Sequence, residues 1–231
     1  MKRAFIRSLW GVYDDSHRVL KRRYGMDEDI RLIKENQFSE PFITYVFGED
    51  NLKKLNSQGV DNCVLLTKEP FAFDLVENQY RNKLQVWKQA MEDFDEIVFL
   101  DWDCRPNKRL PIDYWKKFEE KESFQACLGI YKQTKCYWRK EDRRKVPNAG
   151  YCYIRDKTIP DKIIKAWEEN TNKVSCEPAI ALYLDQLHGG WIGIEKYWEL
   201  YDPESCRLRS QQEFYKDRVK DNCFEHYAGA R

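Results

Sequence analysis

Asp101 and Asp103 stand two residues apart, separated by Trp102, directly after the apolar run IVFL at 97–100. In an extended chain, residues two apart share a side, so the two carboxylates converge. Like charges this close repel, and a divalent cation relieves the repulsion. Hard carboxylate oxygens suit Mg2+ or Mn2+, and such an ion keeps positions open for phosphate oxygens. A helix cap or a surface turn is the plainer account of the same spacing. The location favours the metal. The stretch EIVFLD at 96–101 reads as a strand covered on both faces, and open α/β sheets bind ligands outside the carboxyl ends of such strands.

The elements that must position these acids follow an alternating pattern. Strands are expected at 2–9, 41–47, 60–67, 96–101, 124–131 and 150–154, with a short one near 223–226. Helices are expected from His17, capped by Ser16, and at 49–56, 78–94, 113–122, 159–170 and 176–187. In the long helix, Leu84, Trp87, Met91 and Phe94 recur at three- and four-residue spacing. The βαβα order at the front implies a mostly parallel sheet with helices on both faces. No repeat, low-complexity tract or Ser/Gly linker divides the chain, so residues 1–231 read as one α/β domain.

Charge and composition remove several function classes. The 40 Lys+Arg nearly balance 39 Asp+Glu, for a net charge of +1. That balance argues against nucleic-acid binding, which runs on excess base, and against disorder driven by net charge. The longest apolar run, at 179–184, is far short of the roughly 20 residues of a membrane span. The start MKRAFIRSLWG lacks the apolar segment of a secretory signal, which leaves a cytoplasmic protein as the expectation. Eight cysteines form no CxxC pair. Several sit in apolar runs, as Cys63 and Cys127 do, and read as buried thiols of a reducing compartment. The basic stretch 132–145 reads either as a solvated loop or as a flap that meets an anionic or sugar ligand. The 34 aromatic residues (8 Trp, 14 Tyr, 12 Phe) exceed ordinary usage. Many belong to a core, and a surplus of this size also lines sites that stack flat rings or sugars.

With these residues in view, the order of features resembles the GT-A-fold glycosyltransferases, which carry a D-x-D motif after a central strand; the chlorovirus members are similarly lean. The resemblance extends over most of the chain. It implies a Rossmann-like fold and a metal-dependent hexosyltransferase that uses Mn2+ or Mg2+. The implied donor is a nucleoside diphosphate sugar, a UDP-sugar by family frequency, and the acceptor is a hydroxyl of a glycan or glycoprotein. In a viral member the setting is the host cytoplasm.

The resemblance also assigns residues. The loop after the first strand, Arg7, Ser8, Leu9, Trp10 and Gly11, followed by Tyr13, holds the base and ribose. Trp10, Tyr13 and Tyr45 are the candidates for stacking on the base, and Trp102, Tyr137, Trp138 and Trp191 are further stacking candidates. Arg81 and Lys83, on the helix before the acids, are candidates to meet the nucleotide sugar, unless they are solvated helix residues. Asn148, Ala149 and Gly150 match an N-[AS]-G stretch that lets backbone approach the donor; an ordinary turn would look the same. Glu177 and Asp185 face the acceptor as candidate bases, although Glu177 also suits a helix N-terminus. The C-terminal His-x-x-Gly pattern makes His226 the third metal ligand beside Asp101 and Asp103. There Gly229 lies close to the diphosphate and Arg231 pairs with it. Of the other two histidines, His17 reads as a helix surface and His188 as a helix end.

Retaining members continue past this point with Lys-Pro-Trp. This chain stops, as a domain trimmed from a longer protein would, which leaves retention against inversion open. Two rivals remain: a nucleotidyltransferase, which would carry a Gly-rich phosphate loop that SLWGVYDDS lacks, and a non-catalytic sugar-binding module, which would need neither the acid pair nor the histidine. The sequence leaves the sugar, the acceptor and the oligomeric state undetermined.

Overall fold

The computed structural model describes residues 1–9, 31, 34–35, 38–66, 76–102, 104–106, 110–120, 123–130, 145–169, 179–180, 182–183, 206–208 and 223–226. Six strands form the main sheet: β1 (Arg3–Leu9), β2 (Phe42–Phe47), β3 (Cys63–Leu66), β4 (Glu96–Leu100), β6 (Phe124–Ile130) and β7 (Lys145–Ile154). Their order is β3-β2-β1-β4-β7-β6. The first four run parallel, and β7 and β6 are antiparallel to their neighbours. A smaller sheet joins β5 (Cys104–Pro106), β9 (Phe224–His226) and β8 (Cys206–Leu208), in the order β5-β9-β8. Among the described residues, the α-helices whose bounds are defined are α1 (Glu49–Ser57), α2 (Val76–Asp93) and α3 (Ile159–Glu169).

The central strands are buried along their length, as their unbroken apolar runs require. All of Glu96–Leu100 is buried, and so is β1 from Ala4 onward. Side-chain alternation sends Ile6 and Phe99 to one face and Phe5, Arg7 and Leu9 to the other. On the first face, Trp87 of α2 meets Phe99 edge-on at 5.5 Å, and Tyr45 of β2 donates to Asp93 of α2 at 3.1 Å. Helix α3 lies beside α2, tied by Lys88 to Asp161 at 2.6 Å and Arg81 to Glu168 at 3.3 Å. On the second face, Leu55 of α1 packs with Leu9, Val46 and Trp102. The sheet is thus covered on both faces, as expected.

Much of the aromatic surplus is core on that second face. Phe5 lies 5.1 Å from Trp115, 5.5 Å from Tyr114 and 6.1 Å from Phe224, while Phe118 stacks on Tyr153 at 3.8 Å with planes 4° apart. Phe224 belongs to β9, so the same aromatic cluster fastens the small sheet to the large one.

Several boundaries differ from expectation. The helix expected at 113–122 is a single 3-10 helix, Tyr114–Phe118. Its tighter turn buries Tyr114, Trp115 and Phe118 together against the aromatic cluster, and Arg155 closes its end by donating to the Phe118 carbonyl at 3.2 Å. Strand β3 begins at Cys63, because Asn62 takes a left-handed turn (φ 55°) and its carbonyl accepts the Thr44 N–H. Strand β7 begins at Lys145, five residues before the expected start, and β5 and β8 were not anticipated. Within the helix expected at 176–187, residues 179, 180, 182 and 183 are helical. The helix expected from His17 and the basic stretch 132–144 lie outside the described residues. Among the described residues, no helix is long and apolar enough to cross a membrane.

Candidate active site

The strand order reverses between β1 and β4, so a crevice opens beyond their carboxyl ends. In register, Ile6 faces Phe99, which brings Ser8 level with Asp101. Asp101 is the first residue past β4. Its N–H donates to the Gly150 carbonyl at 2.8 Å, and its own carbonyl accepts the Cys104 N–H at 2.8 Å. The chain turns this corner from the large sheet into β5 of the small one. The corner contains both the acid pair and Trp102.

Lys83 of α2 reaches the corner from the first face. Its ammonium meets Asp101 Oδ1 at 2.8 Å and Oδ2 at 2.9 Å, and donates to the Ala149 carbonyl at 3.3 Å. The Lys83 side chain is 4% exposed and that of Asp101 27%. The pair therefore has a buried cation inside and a carboxylate at the mouth. A carboxylate offers about four lone-pair sites, so Asp101 keeps acceptor capacity toward the crevice. Arg81, two positions away, points to nearly the opposite side of the helix and pairs with Glu168. Of the two basic candidates, only Lys83 enters the site.

The middle residue of the acid motif points into the protein. Trp102 is 8% exposed, and its indole N–H donates to the Ser8 carbonyl at 2.7 Å. The Arg7 guanidinium lies 4.4 Å from the Trp102 ring and 4.4 Å from the Phe42 ring. Level with Asp101, the buried Ser8 Oγ has no hydrogen-bond partner among the described residues, and an orphan hydroxyl at a sheet's ligand end suits a polar ligand.

Strand β7 supplies the other wall. Its pairing with β6 jumps from Ala126–Cys152 to Cys127–Asn148. Residues 149–151 lie within that jump, and the Ala149 and Gly150 carbonyls accept from Lys83 and from the Asp101 N–H. The pairing of β7 with β4 ends at Tyr151, and among the described residues no strand pairs with that side of β7 at Pro147, where a missing N–H costs no ladder bond. On the small sheet, the backbone of His226 lies opposite Cys104. That register brings a C-terminal histidine to the residue next to Asp103.

No family model and no curated protein matches the sequence. Solved structures do match. The galactosyltransferase LgtC, in complex with donor and acceptor sugar analogs, superposes with a TM-score of 0.57 at 15% identity, over 100% of this chain and 88% of its own. An active-site variant of LgtC gives 0.55 at 14% identity, over 99% and 88%. A glycosyltransferase involved in glycosylation of the major capsid of PBCV-1 gives 0.53 at 14% identity, over 100% and 95%. The fold is that of the GT-A glycosyltransferases.

Against the GT-A frame, the expected residues fall into three groups. Asp101, Lys83, Ala149 and Gly150 come together by hydrogen bonds, and the backbone of Asn148 adjoins them in β7. Arg7, Ser8 and Leu9 are buried residues of β1, within the strand expected at 2–9, and not members of the loop that follows it. Tyr45 is corrected. It is wholly buried against α2, and burial together with the Asp93 charge holds its hydroxyl far above the usual phenol range. A base cannot stack on it. Trp10, Gly11, Tyr13, Asp103, Tyr137, Trp138, Glu177, Asp185, Trp191, Gly229 and Arg231 lie outside the described residues. Among the described residues no group of three or more His, Cys, Asp or Glu side chains gathers as a metal site.

Sequence reasoning missed the Arg7 sandwich. The signal was available: an arginine inside an apolar parallel strand needs rings or acids around it, and alternation sends Trp102 away from the acids it separates.

Proposed function

We propose that this protein transfers a sugar from a nucleoside diphosphate sugar, a UDP-sugar, to a hydroxyl of a glycan or glycoprotein, with residues 1–231 forming one catalytic domain. The observation that carries the reading is the buried Lys83–Asp101 pair beside the Ala149 and Gly150 carbonyls, at the strand switch of a GT-A sheet. LgtC, of the same fold, was solved with donor and acceptor sugar analogs, and a donor–acceptor pair is what a crevice of this kind accommodates.

Asp101, Asp103 and His226 would hold Mn2+ or Mg2+, and their hard oxygens and imidazole fit such an ion. When bound, the ion supplies positive charge to the departing diphosphate. The chain's own residues do the rest. Lys83 fixes Asp101 and adds positive potential at the crevice floor. The Ser8 hydroxyl supplies a free hydrogen-bonding group, and the Ala149–Gly150 backbone brings a wall close to the sugar. In the transfer, the acceptor oxygen bonds to the anomeric carbon as the bond from that carbon to the diphosphate breaks. The diphosphate leaves with the electron pair, and the hydroxyl proton passes to a base. Glu177 or Asp185 serves as that base in an inverting reaction; a retaining one needs no such protein base.

Calorimetry with UDP, with and without Mn2+, tests the reading, together with hydrolysis of a panel of nucleotide sugars. UDP is expected to bind more tightly with Mn2+. Asp103→Ala is expected to abolish metal-dependent turnover while keeping the fold. UDP binding indifferent to Mn2+, or undiminished turnover in that variant, refutes it.

A further inference from the structure

Trp102 lies between two acids yet faces the interior. Its indole N–H bonds the Ser8 carbonyl at 2.7 Å, and its ring packs against Leu9, Val46 and Leu55. Arg7, itself 2% exposed, lays its guanidinium 4.4 Å from this ring and 4.4 Å from that of Phe42. A desolvated cation between two ring faces is held strongly. These contacts join three elements: β1 through Arg7 and Ser8, β2 through Phe42 and Val46, and the corner after β4 through Trp102. The corner is closed behind it by the Cys104 N–H on the Asp101 carbonyl. Asp101, Trp102 and Cys104 are therefore each held by named contacts at this corner.

We propose that Trp102, clamped by the Ser8 carbonyl and the Arg7 guanidinium, is a positioning residue that sets the direction of the acid pair, and that it is not a stacking platform for the donor. A stacking ring must offer a face to the crevice, whereas this ring gives one face to Arg7 and its edge to Ser8. The role also gives the buried Arg7 a purpose: it orients the motif from β1 without touching the ligand. For its metal readout the inference rests on the function proposed above; its backbone readout does not.

The test uses Trp102→Phe, which keeps a ring over Arg7 and deletes the indole N–H. Leu55→Ala is the control, since it weakens the apolar packing of the same cluster while keeping the indole N–H bond to Ser8 and the Arg7 contact. Two quantities are measured on folded protein: Mn2+ affinity by calorimetry with the metal alone, and hydrogen exchange of the Cys104 amide relative to core amides of β4. Positioning side chains of this kind typically change metal affinity about ten- to a hundredfold. Trp102→Phe is expected to weaken Mn2+ at least about tenfold and to speed Cys104 exchange selectively. Leu55→Ala is expected to speed exchange only in step with global stability. If Trp102→Phe does not fold, Arg7→Met, which removes the cation and keeps the indole bond, takes its place with the same expectations. The proposal is overturned if Cys104 exchange and Mn2+ affinity in the variant follow global stability as in Leu55→Ala, or if affinity falls without selective exchange. If the parent binds no Mn2+ while Cys104 exchange still accelerates selectively, the metal reading fails and the positioning role stands.

Discussion

Breaking the Lys83–Asp101 pair from its two sides should have unequal costs. In Lys83→Met the aliphatic stem survives, and Asp101 is left with 27% of its side chain exposed. Water can rehydrate that carboxylate, so the loss is close to that of charge-assisted hydrogen bonds, about 1.5–3 kcal/mol. In Asp101→Asn the ammonium remains, at 4% exposure and without its counter-charge. Stranding one member of a buried pair costs about 3–5 kcal/mol. The ordering is thus Asp101→Asn worse than Lys83→Met, by roughly 2 kcal/mol from those two ranges. In a chain of this length 1 kcal/mol moves Tm by about 2–4 °C, so the two variants should melt about 4–8 °C apart. The double variant should be more stable than the sum of the singles predicts, since no stranded charge remains. Urea unfolding followed by tryptophan fluorescence gives all three values at neutral pH without metal. Asp101→Asn as mild as Lys83→Met, or strictly additive costs, would refute the view of Lys83 as a buried counter-cation.

Other outcomes follow from single contacts. Burial, followed by the Asp93 and Glu96 charges, pushes the Tyr45 and Tyr153 hydroxyls well above the usual phenol range. Raised folded values mean that the native state keeps protons the unfolded chain gives up, so stability is full below about pH 10 and declines above it. Tyr45→Phe should flatten that decline by up to about 1.4 kcal/mol per pH unit, read from urea midpoints between about pH 9 and 11. Asp156 shows the opposite sign. Burial raises its carboxyl, but bonds from the Thr158 N–H and hydroxyl, both at 2.8 Å, and the Lys162 charge outweigh it and leave it lowered. Its stabilisation is present above about pH 4 and lost as pH falls further; Asp156→Asn should lack that acid-side loss in melts across the same range. Gly48 holds φ 89° between β2 and α1, and a Cβ there would meet Asn51 Nδ2 at an ordinary 3.9 Å. Gly48→Ala should therefore cost about 1–3 kcal/mol through backbone strain alone, and a Tm unchanged from the parent would contradict it.

The parts of the fold legible in the sequence were those where one kind of burial dominates. Strands β1, β2 and β4 are apolar on both faces, and α2 has a single apolar stripe, so periodicity located them within about two residues. Strand β7 was misjudged at its start because Pro147 and the small residues 148–150 have the chemistry of a turn. The pairing explains the difference: β7 pairs with β4 only from Tyr151 to Ile154, and among the described residues its earlier half pairs with β6 alone. The 3-10 helix at Tyr114–Phe118 was misjudged because an aromatic cluster, not helical periodicity, sets its length. Strands β5 and β8, three residues each, exist through their pairing with β9, and no local pattern could announce them. At the site, Lys83 was separable from Arg81 only by knowing which side of α2 faces β4.

The near-equality of acid and base also takes on structure. Buried charge in the main sheet is arranged as separate cations with dissimilar partners. Arg3 meets Glu96 at 2.6 Å at the amino end of β1 and β4, far from the crevice, with Glu96 buried and the Arg3 side chain 26% exposed. Arg7 lies between rings, with its charge spread over aromatic faces. Lys83 meets a carboxylate that is still partly open to the crevice. Each of these two ion pairs therefore joins one buried member to one partly exposed member, and the buried member is the acid at the amino end and the cation at the carboxyl end. An incompletely sealed pair is poor design for stability alone, since a buried pair is often no better than apolar packing. A buried cation beneath a partly open carboxylate, as at Lys83 and Asp101, is the arrangement to expect where a carboxylate must be held still and yet accept another cation.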